Sequence, residues 1–191
     1  MATQRPVLSI APAGFAGALL ADREVIPRAQ TIAREAARAL SAAAVVVYVF
    51  QPDSDPPWII KSFTGEVSVQ EPGLAYAGST LAVLAKKKEA LLFSGAELKR
   101  EHYPHLNVRR TITSLAYLPL LHEGRVIAAI EAISFEHTWG NDDLITLKQI
   151  AVHSAVALAA AIAYESERNS NLSSITRLTQ LYDLELKLIR Y

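Results

Sequence analysis

Apolar residues follow two different periods along the chain, one typical of helices and the other of buried strands. In residues 27–40 they recur every three to four positions while the charged residues fall on the opposite side, which predicts an amphipathic helix. Pro27 suits the first turn of that helix. The apolar stretch at 13–25 predicts either a separate helix or a kinked continuation, because Pro27 interrupts the pattern.

Two runs rich in β-branched and aromatic residues follow this helix. Residues 44–51 predict a buried strand that stops at the turn-forming sequence PDSDPP, and residues 58–63 return as its partner. Helical spacing resumes at 78–88, where three closing lysines suit the negative end of the helix dipole. A short strand is expected at 90–93. Residues 94–110 show no clean period, which predicts a loop with a short helix.

A pair of apolar runs joined by the polar sequence HEGR gives the strongest local signal. TSLAYLPLL precedes the turn and VIAAIEAISF follows it, with Gly124 in the turn, which predicts a hairpin of two central strands. Glu131 stands inside the second run. Burying an unpaired carboxylate costs several kcal/mol, so Glu131 needs a partner. Either it faces a polar pocket, or an arginine or a backbone group satisfies it on a sheet face.

A long helical pattern closes the chain. Asn141 can cap it, and two aspartates in its first turn suit the positive end of the dipole. Helical periodicity runs to about Glu167 and resumes over 172–191, so residues 169–171 are either a break or a weak point. Two apolar stripes lie side by side on its first part. The first stripe is Leu144, Leu147, Ala151, Ala155, Leu158 and Ile162, and the second is Ile145, Val152, Val156, Ala159 and Ala163.

The second stripe predicts a neighbour for this helix. A helix that lies on its own sheet buries only one stripe, so the other is expected to meet the N-terminal helix, a second subunit or both. As one helix, residues 141–191 would be about 75 Å long, and something like half of it would extend beyond a domain roughly 40 Å across. The many apolar residues of 172–191 then favour pairing as a coiled coil, in a homodimer.

Composition and charge limit the chemistry. The 19 basic and 19 acidic side chains cancel, so no global field attracts nucleic acid or anionic lipid. The chain has no cysteine, which excludes disulfides, thiolate nucleophiles and thiolate zinc sites. Glycines and a proline interrupt the early apolar stretch, unlike a signal peptide, and the later run at 155–163 is far below the roughly 20 residues that span a bilayer. We expect a cytoplasmic domain with no membrane and no nucleic acid as partner.

The order of these elements and the hairpin sequence SLAYLPLLHEGRVIAAIEAIS resemble the GAF domain family over residues 30–167. The family's hairpin positions are matched by Pro119, Leu120, Glu123, Gly124 and Glu131, and the sequence FEHTWGNDDLITLKQIAVHSAVALAAAIAYE is similar to its closing segment. The resemblance implies an α+β fold. It has a central antiparallel sheet of five to six strands, helices on one face, a small-molecule pocket on the other, and long N- and C-terminal helices.

The resemblance also bears on ligands. Bilin attachment and the methionine sulfoxide reductase chemistry of this family need cysteine, and the family's cyclic-nucleotide pattern of asparagine, lysine, phenylalanine, aspartate and glutamate is not found. The histidines are scattered rather than arranged as a pair of haem ligands. No nucleophile elbow, phosphate loop or metal-binding helix appears. We therefore expect no enzyme activity, no cofactor and a ligand of unknown identity.

The cationic sequence KREHYPHLNVRR at 99–110 lies where the resembling family caps its pocket. Arginine pairs well with carboxylate or phosphate, so the segment could bind an anion, although a solvated loop is the more common outcome. The polar and aromatic residues expected near a pocket are Tyr76, Thr80, His102, Tyr103, Arg109 and Tyr117.

Three parts are expected: an N-terminal segment or helix at 1–26, a GAF-like domain at 27–168 and a C-terminal coiled-coil extension at 169–191. The predicted function is a sensory and regulatory module in signal transduction. It would bind a small molecule and relay its occupancy through the paired helices of a homodimer to an output kinase, cyclase or transcription regulator. The alternative is a dimerisation or scaffold domain whose pocket is filled by its own side chains.

Overall fold

A computed structural model describes residues 12–65, 67–69 and 78–189. Four helices lie at Pro12–Ala21 (α1), Val25–Leu40 (α2), Thr80–Lys87 (α3) and Asn141–Ile189 (α4). Seven strands lie at Ala44–Phe50 (β1), Trp58–Gly65 (β2), Ser68–Val69 (β3), Leu91–Ser94 (β4), Leu106–Asn107 (β5), Ser114–His122 (β6) and Arg125–Ser134 (β7). Short 3-10 turns at Gly95–Glu97 and Arg100–His102 connect β4 to β5.

Five of these strands form one antiparallel sheet in the order β2-β1-β7-β6-β4, and β3 pairs with β5 beside it. The predicted hairpin is the centre of the sheet, since β6 and β7 pair from Ser114 with Ser134 to His122 with Arg125. The α+β fold with a five-stranded antiparallel sheet and a long C-terminal helix is therefore confirmed.

The two faces of the sheet bury different residues. On β1, Val45, Val47 and Val49 pack against α2 and α4. The alternate residues, which include Tyr48, face α3 and the segment before β5. Because side chains of a strand point alternately to opposite faces, the apolar run of β1 serves both cores.

Helices α1 and α2 are separate, and the break lies at residues 22–24 rather than at Pro27. Helix α2 starts at Val25 and includes Pro27 in its first turn, where a missing N–H removes no intrahelical hydrogen bond. The side chain of Glu165 on α4 accepts a hydrogen bond from the Val25 N–H at 2.8 Å. The start of α2 is thereby attached to α4.

A buried arginine also joins α2 to α4. Arg28 is 6% exposed; its Nε donates to the carbonyl of Asp22 at 2.6 Å, and its Nη1 donates to the carbonyl of Ala157 on α4. Nearby, Arg168 of α4 pairs with Glu24 at 3.2 Å. These contacts hold α4 to the corner between α1 and α2.

Helix α4 is continuous over 49 residues, so residues 169–171 are not a break. At ~1.5 Å per residue it is about 73 Å long. Of its first apolar stripe, Leu147, Ala151, Ala155 and Leu158 are buried in the core with the sheet and α2, while Leu144 and Ile162 are partly buried. In the second stripe, Ile145, Val152 and Val156 are 54%, 67% and 62% exposed, so α1 and α2 do not cover it.

Among the residues that the structure describes, one helix, α4, has the length and composition of a membrane span, contrary to the run-length argument from the sequence. A window of α4 has a mean hydropathy of 1.6, but 44% of that window is buried within the protein. The core helix of a soluble protein passes the same test, so this is weak evidence for a membrane.

We predict that Arg28→Ala destabilises the protein by about 2 kcal/mol, because it leaves two carbonyls without their charged donor. The measurement is the free energy of unfolding in urea. Arg34→Ala is the matched control, since Arg34 is exposed on the same helix and its loss should change stability by less than about 0.5 kcal/mol. Equal effects of the two substitutions would contradict the role given to Arg28.

Candidate functional site

Glu131 lies at the centre of the sheet, on the face opposite α2 and α4, and is 0% exposed. On β6, Tyr117 is its direct partner in the antiparallel register. On β1, Val46 is the direct partner, and Tyr48 comes two residues later on the same face. Three adjacent strands therefore bring two tyrosines next to one carboxylate.

Both tyrosine hydroxyls bond to this carboxylate. The Tyr48 hydroxyl donates to Oε2 of Glu131 at 2.5 Å, and the Tyr117 hydroxyl lies 2.6 Å from Oε1. The third donor is His105, whose Nε2 lies 3.1 Å from Oε1 and 3.0 Å from Oε2. Because a carboxylate only accepts, Nε2 carries the proton. We call these four residues the Glu131 cluster.

The environment keeps the two tyrosines protonated. Tyr48 and Tyr117 are 0% exposed, and burial raises the pKa of each well above its usual value. The nearby Glu131 carboxylate raises both pKa values further, because a second negative charge beside it is unfavourable. The two hydroxyls therefore remain donors in neutral solution.

His105 belongs to a segment that covers this face of the sheet, residues 98–108, which we call the cap. A second contact joins the cap to the sheet, because the carbonyl of His102 accepts from Thr80 Oγ1 at 2.8 Å. The Tyr117 hydroxyl is also 2.8 Å from that carbonyl. Its single proton is thus shared between the cap and Glu131.

The cap is also connected to the start of α4. The His102 ring stacks on Phe93 of β4, with 3.8 Å between ring centroids. The next residue, Ser94, donates to the carbonyl of Trp139 at 3.2 Å, and its hydroxyl is 2.9 Å from that of Ser114. Trp139, just before α4, donates from Nε1 to the carbonyl of Leu40 at the end of α2 at 3.2 Å.

Of the residues expected near a pocket, Thr80, His102 and Tyr117 meet at the cap, as described. Tyr103 is half-buried in the cap, with the Arg100 guanidinium 4.9 Å above its ring. Arg109 is exposed just beyond the cap and has no hydrogen bond to another of the described residues. Tyr76 lies outside the residues that the structure describes.

The cationic side chains of residues 99–110 face solvent. Its Lys99, Arg100, Arg109 and Arg110 are all exposed, and Arg110 pairs with Glu136 at 3.0 Å. Within the described ranges, no cluster of three or more His, Asp or Glu residues suits a metal ion.

Neither Tyr48 nor His105 was among the expected site residues. The partners of Glu131 are two tyrosines and a histidine, rather than the arginine or backbone group considered from the sequence. One signal in the sequence could have identified Tyr48. Side chains alternate between the two faces of a strand, so Tyr48 and Glu131 can lie on the same face of one sheet. His105 gave no signal, because it lies in a segment without a period.

Comparisons with known proteins agree with this fold. The family model of the GAF domain matches residues 24–158. The structure is similar to that of the GAF domain from Acinetobacter phosphoenolpyruvate-protein phosphotransferase, with a TM-score of 0.63 and 12% identity, covering 79% of this chain and 92% of that one. No curated protein sequence matches the chain.

Two further structures are also similar, one named as an enzyme and the other as the GAF domain of a cyanobacteriochrome. One is the free methionine-R-sulfoxide reductase from Neisseria meningitidis, in complex with its substrate, with a TM-score of 0.65, 14% identity, and coverage of 80% of this chain and 88% of that one. The other is the GAF domain of the cyanobacteriochrome TePixJ, with a TM-score of 0.58, 12% identity, and coverage of 75% and 94%. Identities this low show a shared fold alone.

We predict that stability falls above about pH 10, where tyrosines of the unfolded chain lose their protons. In the folded state the raised pKa values keep Tyr48 and Tyr117 protonated beyond that pH. The two tyrosines therefore contribute fully to the free energy of unfolding below about pH 10, and this contribution is lost as the pH rises further. Two such groups lower the free energy of unfolding by up to about 2.7 kcal/mol per pH unit. Urea unfolding between pH 8 and 11.5 measures it.

Tyr48→Phe should roughly halve this slope, because one of the two retained protons is gone. Tyr103→Phe is the control, since Tyr103 is half-buried and outside the Glu131 cluster. An unchanged slope in Tyr48→Phe would show that the buried tyrosines are not the cause.

Proposed function

Because the chain belongs to the GAF domain family, we propose that it is the sensory and regulatory module of a cytoplasmic signalling protein. GAF domains are sensory and regulatory modules of signalling proteins, and most of them are not enzymes. In this proposal a small polar molecule binds under the cap, beside the Glu131 cluster. Paired helices relay its occupancy to an output kinase, cyclase or transcription regulator.

The observation that carries the proposal is the polar attachment of the cap to the sheet. His105 holds the cap to Glu131, while Thr80 and Tyr117 hold the carbonyl of His102. A polar ligand can supply donors and acceptors that compete for these contacts. The contact of His105 is buried and those of the His102 carbonyl are partly buried, so a group left there without a partner would be costly, and ligand binding would be coupled to the position of the cap.

A path from the cap to α4 supports the relay. The cap stacks on Phe93, and the neighbouring Ser94 bonds to the carbonyl of Trp139, directly before α4. Trp139 also bonds to the end of α2. A displacement of the cap along β4 therefore acts on the point where α4 begins.

The uncovered second stripe of α4 supports pairing. Ile145, Val152 and Val156 are large apolar residues, and each of them is more than half exposed. We propose that they meet the same residues of a second chain, in a homodimer formed by the N- and C-terminal helices. The small side chains of Ala159 and Ala163 would let the two helices approach closely.

A catalytic role is not proposed. One similar structure is that of an enzyme, a methionine sulfoxide reductase. This chain has no cysteine, so thiol chemistry is excluded.

A dimerisation or scaffold domain without a ligand is the second candidate. It is favoured by the way in which the Glu131 cluster fills its own face of the sheet. Glu131 and both tyrosines are 0% exposed and His105 is 2% exposed, and the tyrosines and the histidine are each bonded to Glu131. In this candidate the cap would be a fixed part of the core.

Ligand binding should appear as thermal stabilisation by the low-molecular-mass fraction of a cell extract. A ligand at 100 times its Kd adds about 2.7 kcal/mol, which for a chain of this size is roughly 5–11 °C in Tm. Thr80→Val, which removes the donor to His102, should lose most of this rise. Thr176→Val, exposed on the distal part of α4, is the control and should keep it. A dimer with no rise in any extract fraction would favour the scaffold candidate.

Pairing should appear as the mass of a dimer or a larger assembly in light scattering at micromolar concentration. Val152→Glu places a charge in the second stripe and should weaken this pairing by at least tenfold in Kd. The control is Asn169→Glu, an exposed position on the same helix about 100° around the helix axis from Val152. A monomeric wild-type protein would contradict the homodimer.

A further inference from the structure

A groove of about 490 Å³ lies between helix α2 and strand β2, and we call it the α2–β2 groove. Gln30 and Arg34 of α2 form one wall, and residues 60–64 of β2 form the other. Its volume is within the range of roughly 300–1,000 Å³ that is common for small-molecule sites. None of its residues belongs to the Glu131 cluster or to the cap, so it is separate from the site of the proposed function.

The position of β2 explains why these side chains meet. The strand stands at the end of the sheet order, and its pairing with β1 contains a bulge, because Val47 pairs with Ser62 whereas Tyr48 pairs with Ile60. Lys61 is therefore the extra residue, and bulges of this kind re-aim a side chain at the rim of a sheet. Ser62 lies opposite Val47, on the face that packs against α2.

The α2–β2 groove is positively charged. Arg34 and Lys61 are the two charged residues that line it, and neither forms a salt bridge with another of the described residues. Three other grooves in the described part of the chain each contain a carboxylate, from Glu136, Glu89 or Glu165. The α2–β2 groove differs from them because it offers cations and no acid, which suits an anion.

Uncharged polar side chains stand beside the two cations. The amide of Gln30 is a further donor, and Ser62 contributes a hydroxyl although it is only 8% exposed. Thr64 also lines the groove, and its Oγ1 is buried without a hydrogen-bond partner among the described residues. A rotation of Thr64 to another staggered χ1 would turn this hydroxyl towards a bound anion.

This set of donors matches a phosphate monoester better than a carboxylate. A phosphate monoester carries close to two negative charges at neutral pH and has three strong acceptor oxygens. The planar fork of Arg34 can bind two of these oxygens in parallel, while Lys61 supplies a compact second charge. A carboxylate has a single charge and two oxygens, so it would leave part of this donor set without a partner.

An apolar part of the groove indicates what else the ligand carries. Phe63 is 59% exposed, and the partly buried Ile60 lines the same groove. A bare phosphate ion would fill only a small part of 490 Å³ and would leave the ring of Phe63 in water. A planar ring attached to the phosphate would cover Phe63, because aromatic pairs stack favourably.

We propose that the α2–β2 groove binds a small aromatic phosphate monoester. Its phosphate lies between Arg34 and Lys61, with the hydroxyl of Ser62 as a further donor, and its ring packs on Phe63. Such a ligand would join α2 to the outer strand of the sheet. The proposal depends neither on a ligand under the cap nor on the homodimer.

Isothermal titration calorimetry of the full chain with phenyl phosphate tests this site. We expect saturable binding of one molecule per chain, which weakens as salt is added because the charges of the groove are screened. Arg34→Gln and Lys61→Gln should each weaken binding by at least about tenfold. Arg38→Gln is the matched control, because Arg38 is an exposed arginine one turn further along α2 that pairs with Glu35 and does not line the groove. It should bind as the wild type does.

Two other probes separate the phosphate from the ring. Benzoate, which keeps the ring but has a single charge, should bind at least about tenfold more weakly than phenyl phosphate. Methyl phosphate should bind at least about threefold more weakly, because it lacks the ring. Phe63→Ala should reduce the affinity for phenyl phosphate to that for methyl phosphate. Circular dichroism shows whether each variant keeps its fold.

Four results would overturn the proposal. The absence of saturable phenyl phosphate binding, or an equal loss in Arg34→Gln and Arg38→Gln, excludes the site and leaves the ligand under the cap untouched. Equal affinities for phenyl phosphate and methyl phosphate exclude an aromatic ligand. Binding that is lost in Thr80→Val and kept in Arg34→Gln would place the phosphate under the cap instead.

Discussion

The carboxyl group of Glu131 is buried at the centre of the sheet, and the surrounding residues supply its hydrogen-bond partners. A buried carboxylate without donors would be strongly destabilising, so each element around it supplies one. Strand β1 supplies Tyr48, β6 supplies Tyr117 and the cap supplies His105. The register of three strands and the position of the cap are thus tied to one side chain. The face opposite α2 and α4 therefore holds the polar contacts that join the cap to the sheet.

Local periodicity was sufficient to predict most of the fold. Short-range patterns of apolar residues predict strand β1, the hairpin of β6 and β7, and helices α2 and α4. Each of these elements buries one face, and the period of its buried residues can be read from neighbouring positions in the sequence. The boundaries differed where local rules compete. Pro27 interrupts an apolar pattern but is tolerated in the first turn of a helix, so α2 begins two residues earlier.

The candidate site was predicted only in part, for a physical reason. The need of Glu131 for partners follows from the sequence, since it stands in an apolar run, but the identity of those partners depends on which strands are neighbours. Tyr48 is 83 residues away from Glu131 along the chain. His105 comes from a segment held by tertiary contacts rather than by a repeating pattern. Thr80 and His102 were expected near a pocket, yet their contact runs through a backbone carbonyl that no sequence pattern marks.

Helix α4 contains neither glycine nor proline between Asn141 and Ile189. Both residues weaken or kink helices, so their exclusion makes α4 a stiff rod. The domain holds this rod near Trp139 and again near Glu165, and roughly 36 Å of it lies beyond the second point. Such a geometry is a lever with its fulcrum at the α1–α2 corner. The two arms of this lever are about equal, since Asn141 and Ile189 each lie 24 residues from Glu165, so a displacement of the start of α4 is carried to the far tip at nearly its full size.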